Sequence, residues 1–285
     1  MSPLVVFVLG AVVLPLVLAF VLALFARGDE DRGRVVAPLA LGAAFLVTHA
    51  WTQDGLPEWP AVGAIMMLFY FGLAMTVVGA LVGLARPVGL MASLAVAAAS
   101  FWIVFEFHRK SQEWESSQAV LATAAFAFGV VALVGLLDRG PDALPRLGGL
   151  LLIAVTSAVA GCLALGSTVS LAQIAGGLAA GGGGLFLAGL LRGELRFSAG
   201  QNVVWVLANA MLLFSGMWLA ELGVWPAVLC FLALAAIGPG VWATAKSDSN
   251  LAKVLGWSVP LMLALAALVV AWIEKPAPTD YGGYY

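Results

Sequence analysis

Residues 148–191 form a run of 44 with no charged side chain. As a single α-helix this run would reach about 66 Å, roughly twice the hydrocarbon thickness of a bilayer. The chain must therefore turn back inside the run, and the turn belongs at "GSTVS", Gly166 to Ser170. Residues 203–245 pose the same problem, and break at "ELGVWP", Glu221 to Pro226. No soluble fold accommodates this pattern. Of 285 residues only 10% are charged, against about 25% in a soluble domain, so too little polar surface exists to cover a core of this size.

Dividing the chain at such turns gives ten apolar segments: 3–26, 35–52, 61–85, 88–107, 119–137, 148–167, 171–191, 203–221, 224–245 and 254–273. Each meets the length needed to cross a bilayer as a helix, which is about 20 residues. The expected fold class is an all-α integral membrane protein of ten transmembrane helices in hairpins, with residues 1–273 as one polytopic domain and 274–285 as a short disordered external tail. The first segment lacks a preceding basic residue and a small-x-small cleavage site, so it reads as a retained span rather than a signal peptide. Arg27, Arg32, Arg34, Arg86, Arg139, Arg146, Arg192, Arg196, Lys246 and Lys253 all fall in loops of one face. Only Arg109, Lys110 and Lys275 fall on the other. The positive-inside rule makes the first face cytoplasmic and puts both termini outside, in a cell membrane of the bacterial inner-membrane type.

Two stretches echo each other. "HAWTQDGLPEWPAV" begins at His49 and "GMWLAELGVWPAV" at Gly216. Trp51 and Asp54 correspond to Trp218 and Glu221 at an offset of 167, and Trp59-Pro60 to Trp225-Pro226 at 166. The spacing suggests a duplicated hairpin, with helices 1–3 repeated as helices 7–9 and repeat halves at 3–107 and 171–273. A shift of six helices keeps both copies in the same direction, which makes the repeat parallel. Physically the echo describes hairpin tips at the outer surface. Trp51, Trp59, Trp218 and Trp225 anchor the interface, proline sits in a helix's first turn, and the acid before it faces the positive end of that helix's dipole. Trp205, Trp242 and Trp257 fall toward the inner face.

No charge lies near the middle of any segment, which argues against a proton-coupled pump with a mid-membrane carboxylate. What remains there is neutral: Tyr70, Thr76, Thr123, Thr156, Ser157 and Asn209. Hydroxyls usually bond their own helix backbone. Asn209 is expected to bond a neighbouring helix. His49, Asp54, Glu106, His108 and Glu221 lie at segment ends and could converge as an outer metal or cation site, although no metal-binding spacing is present. No cofactor is implied. Cys162 and Cys230 read as buried apolar thiols. No basic run would track a nucleic acid.

On helix 7, Gly177, Gly181, Gly184 and Ala188 form one stripe, and Ala154, Ala158, Cys162 and Gly166 form another on helix 6. Small-xxx-small faces let helices approach closely in lipid, so these two are expected to pack as an antiparallel hairpin. Pro15, Pro239 and Pro260 are expected to kink their helices. In size the chain is similar to drug/metabolite-type permeases, but those have an inverted repeat and an inside N-terminus, which this sequence does not suggest.

Three functions remain open. A structural or assembly subunit of a membrane complex, partnered by other membrane chains or by a second copy, fits the short loops, the uncharged interior and the Trp-rich rim. A permease or channel for a small neutral solute fits the duplication and the prolines, and predicts a mid-membrane polar cavity reached by Asn209, Tyr70 or Thr76. An enzyme would need an outer-face site built on His49 and His108.

Overall fold

The computed structural model describes residues 3–25, 30–57, 59, 63–112, 115–138, 145–166, 168–192, 198–219 and 221–275. Among them are ten helices long and apolar enough to cross a membrane, and no strand. The chain is a multi-pass helical membrane protein. The first span, α1, is α-helical over Pro3–Val8, π-helical over Leu9–Val13 and α-helical again over Leu14–Phe25. Then follow α2 (Glu30–Thr52), α3 (Ala64–Leu84), α4 (Arg86–Gln112), α5 (Ser116–Leu137), α6 (Pro145–Leu165), α7 (Val169–Arg192), α8 (Ala199–Leu219), α9 (Val224–Lys246) and α10 (Asn250–Glu274).

Several helices begin three to five residues before the apolar segment that announces them. Hydrophobic runs measure the hydrocarbon core, while the helix itself continues into polar surroundings where its first amides need acceptors. Ser198 caps α8 by accepting the Gln201 N–H at 3.1 Å. Glu115 and Gln118 form a reciprocal capping box at the start of α5. At α3 the discrepancy runs the other way. The helix starts at Ala64 after Gly63, so Trp59 lies outside it, whereas Pro226 does sit in the first turn of α9.

The arrangement is a ring of seven helices around an eighth. In order around the ring come α2, α3, α4, α5, α9, α6 and α7, and α7 closes on α2. The helix α8 touches all seven. Outside the ring, α1 packs on α2 and α7, and α10 packs on α6 and α9. In α8, 83% of the membrane window is buried, against 22% for α1 and α5, so α8 is the core of the molecule.

Glycines set the close approaches. Gly79 of α3 and Gly200 of α8 lie against each other's backbone carbonyls, as do Gly240 of α9 and Gly256 of α10. A side chain at any of the four would force the helices apart. The stripe on α7 has a different partner from the one expected. Gly177 and Gly181 face Thr48 and Ala44 of α2, and Gly184 faces the backbone of α1 at Leu16 and Phe20. The α6–α7 hairpin does pack together, but a short connection already holds such a pair side by side. The glycines are used where helices remote in sequence must meet.

Proline explains the π segment. Pro15 has no N–H to give the Ala11 carbonyl, and just before it the Leu14 N–H reaches back five residues to the Leu9 carbonyl. In the widened turn Gly10 receives the Trp51 indole from α2. A further proline, Pro38, lies inside α2.

Candidate functional site

Two buried polar groups and one tryptophan-rich rim carry the chemistry of the bundle. At mid-membrane, Thr156 of α6 accepts two hydrogen bonds from α8. The Trp205 indole Nε1 donates to its Oγ1 at 2.6 Å, and Asn209 Nδ2 donates at 3.2 Å. Asn209 Nδ2 also donates to the Trp205 carbonyl at 2.9 Å. Thr156 and Asn209 are fully buried. The amide oxygen of Asn209 has no hydrogen-bond partner among the described residues.

Trp205 corrects the sequence reading. It is not part of an inner aromatic belt but one of the largest fully buried side chains in the protein, with its ring seated on Gly182 of α7. A signal was present: Trp205 and Asn209 are four residues apart, so they share a helix face, and a buried indole N–H seeks an acceptor. The other mid-membrane hydroxyls turn inward on their own helices. Thr76 donates to the Gly72 carbonyl at 2.6 Å, Thr123 to Ala119 at 2.8 Å and Ser157 to Ile153 at 2.8 Å.

At one end of the bundle, three helix termini meet. Asp138 caps α5; its Oδ2 accepts from Arg86 at the start of α4 at 2.7 Å, and its Oδ1 from Asn202 Nδ2 of α8 at 3.0 Å. Asp138 is largely shielded, while Arg86 stays exposed. The carboxylate thereby ties the central helix to two members of the ring.

The opposite end carries the tryptophan-acid tips. His49 is fully buried, and its Nε2 lies 2.7 Å from the Ile65 carbonyl. A carbonyl only accepts, so Nε2 carries the proton, and Nδ1 has no partner among the described residues. Tyr70 donates to the Pro57 carbonyl at 2.9 Å, and its ring meets Trp59 edge-on at 5.0 Å. The two contacts hold Pro57 and Trp59 against α3. Trp51, Trp59 and Trp225 are exposed. Trp218 differs from them: it is half-buried and packs on Phe214 at 5.7 Å, which in turn contacts Phe101 and Phe126.

Asp54 and Glu221 have left-handed backbones, with φ of 54° and 52°. Each lies two residues past the end of its helix, in the position that glycine usually fills to stop one. After α2 the Gly55 N–H closes on the Ala50 carbonyl at 2.8 Å; after α8 the Leu222 N–H closes on Gly216 at 3.0 Å. Their backbone role is thus to stop the preceding helix. The carboxylate at the start of α9 comes instead from Glu274, which lies against the N-cap Gly223.

The rim residues do not assemble into a ligand set among the described residues, where no three His, Cys, Asp or Glu side chains come together. Glu106 and His108 belong to α4, but their side chains lie outside the described residues. A small crevice between α2, α3, α4 and α8 has a volume of about 10 Å³ and a mostly apolar lining that includes Phe45, Phe71, Met75 and Met211; its one polar side chain, Ser100, donates to the Val96 carbonyl of its own helix. That is room for about one water molecule, with fewer than the two to four polar partners that a buried water needs.

The chain matches no protein family, no curated protein and no solved structure.

Tyr70, Thr76 and Asn209 therefore have to be read from their geometry. Tyr70 serves Pro57, Thr76 its own helix, and Asn209 the α6–α8 seam. None of the three lines the crevice.

Proposed function

We propose that this protein is a non-catalytic structural or assembly subunit of a membrane complex, partnered by other membrane chains or by a second copy of itself. One observation carries the reading. The helix α8 occupies the axis a solute path would need, and its residues from Gly200 to Gly216 are all buried. A scaffold gains from a filled core, because packing and interhelical bonds are what hold helices together in lipid.

One feature favours the permease reading instead, namely the unpartnered oxygen of Asn209. It could face a small neutral solute, but its amide nitrogen is held by two hydrogen bonds, which suits a fixed strut better than a gate. The rim enzyme has less support, since His49 commits one nitrogen to the backbone and buries the other.

The proposed setting is an inner-type cell membrane with both termini outside, on the strength of the basic loops. The proposed parallel repeat draws support from the matching left-handed acids at Asp54 and Glu221.

Crosslinking in the native membrane, followed by mild solubilisation and native mass spectrometry, tests the subunit reading. The expected result is an assembly of fixed stoichiometry containing this chain. A lone monomer with no crosslinked neighbour overturns it. Swelling of proteoliposomes in neutral solutes should match that of empty vesicles, and faster swelling would redirect the assignment to a permease.

A further inference from the structure

The chain has two cysteines in 285 residues, and they meet. Cys162 is on α6 and Cys230 on α9, helices that are not consecutive in sequence but are neighbours in the ring. Both are fully buried. Cys230 Sγ donates to Cys162 Sγ at 3.9 Å. If the two were only small apolar filling, nothing would require sulfur to face sulfur across that seam. Disulfide formation requires the sulfurs to close from 3.9 Å to about 2.05 Å, a movement of about 2 Å.

Their depth matters for the chemistry. Cys162 is three residues from the end of α6 and Cys230 six residues from the start of α9. Along the helix axis this is about 5 Å and 9 Å below the helix ends. In the orientation proposed above, those ends face outside, the side where disulfides persist. The chemistry itself does not depend on that orientation.

We propose that Cys162 and Cys230 are a reversible dithiol–disulfide pair that staples α6 to α9. In the forward step both S–H bonds break and one S–S bond forms. Two electrons and two protons leave the pair for a two-electron acceptor. Because both thiols are buried at membrane depth, the acceptor must be uncharged and able to enter lipid. Dioxygen dissolved in the bilayer fits, and is reduced to hydrogen peroxide. A bulky charged disulfide cannot approach the pair. The reverse step needs a thiol reductant that enters lipid.

The staple has a structural consequence. Between α5 and α6, which follow each other in the chain, the ring places α9. The disulfide fixes that inserted helix to one of the two it separates, and it closes a 68-residue stretch of chain.

The test uses the full chain in lipid nanodiscs. Samples are reduced, or oxidised with the membrane-permeant oxidant diamide, then acid-quenched, denatured and labelled with maleimide-polyethylene glycol. The expected result is two labels on the reduced protein and none after oxidation, with a mass loss of two hydrogens and full recovery on reduction. Cys162→Ser and Cys230→Ser should each keep their one remaining label through the same oxidation, and Cys→Ala variants serve if serine unfolds the bundle. Two labels that survive conditions closing a control dithiol would overturn the proposal. Loss of the single label in either variant would overturn it too, because the chemistry would then not be a pairing. The oxidised protein should also melt above the reduced one; a lower midpoint would refute the staple.

Discussion

Thr156 illustrates how much one hydroxyl can organise where water is absent. It is the acceptor for both an indole N–H and a carboxamide. Interhelical hydrogen bonds in membranes average only about 0.6 kcal/mol in measured cycles, but a buried donor left without an acceptor costs about 1–3 kcal/mol. Thr156→Val, with nearly the same shape, is therefore expected to lose about 1–3 kcal/mol, and Thr156→Ser to lose much less. Reversible unfolding in mixed micelles measures both. Glu221 offers the opposite sign. A left-handed backbone costs a side chain about 1–2 kcal/mol relative to glycine, partly offset by glycine's freedom in the unfolded chain. Glu221→Gly should raise the melting midpoint. A fall would mean that the carboxylate makes an interaction worth more than the strain. The left-handed acids were hidden in the sequence, because a carboxylate before a helix suggests an N-terminal charge effect. Only the backbone angle reveals a stop for the helix behind it.

At the scale of the helix, sequence reading works well for existence and poorly for position. All ten spans follow from apolar length, since a bilayer demands about 20 residues whatever the neighbours are. Which span lies at the centre does not follow from apolarity. The helix α1 is the most apolar of the ten and among the least buried, while α8 is among the less apolar and the most buried. In water, apolar residues mark the inside. In lipid the solvent is itself apolar, so polar and small residues mark it instead. Gln201, Asn202, Trp205, Asn209 and Ser215, all buried on one helix, were the available signal. The same rule separates glycines by use. Gly200 touches the backbone of Gly79, whereas a side chain at Gly129 on α5 would meet nothing within 4 Å among the described residues. Gly200→Leu is expected to abolish a cooperative melting transition, and Gly129→Leu to leave it within about 0.5 kcal/mol, the range of ordinary surface changes.

For the molecule as a whole, the ring-and-core arrangement could not be read from the segments, because it depends on contacts between helices far apart in sequence. The orientation rests on loop charge alone and gives its own prediction. A reporter that lights up only in the cytosol should stay dark on the N-terminus and glow when inserted at Asp248, in the 247–249 turn between α9 and α10. A bright N-terminus would reverse the topology. The tryptophan rim stayed partly legible, since tryptophans in an interface belt are recognisable by type, but His49's bond to Ile65 is a feature of the folded hairpin.

The insertion of α9 between α5 and α6 bears on how the protein is made. Helices emerging from the ribosome in order can lay down α1 to α7 as an open arc, with no occupant for its middle. Residues 199–246 arrive afterwards and must supply both the axle and the missing stave. A nascent chain stopped before residue 199 should therefore be degraded quickly in the cell, while supplying 198–275 as a separate polypeptide should protect it.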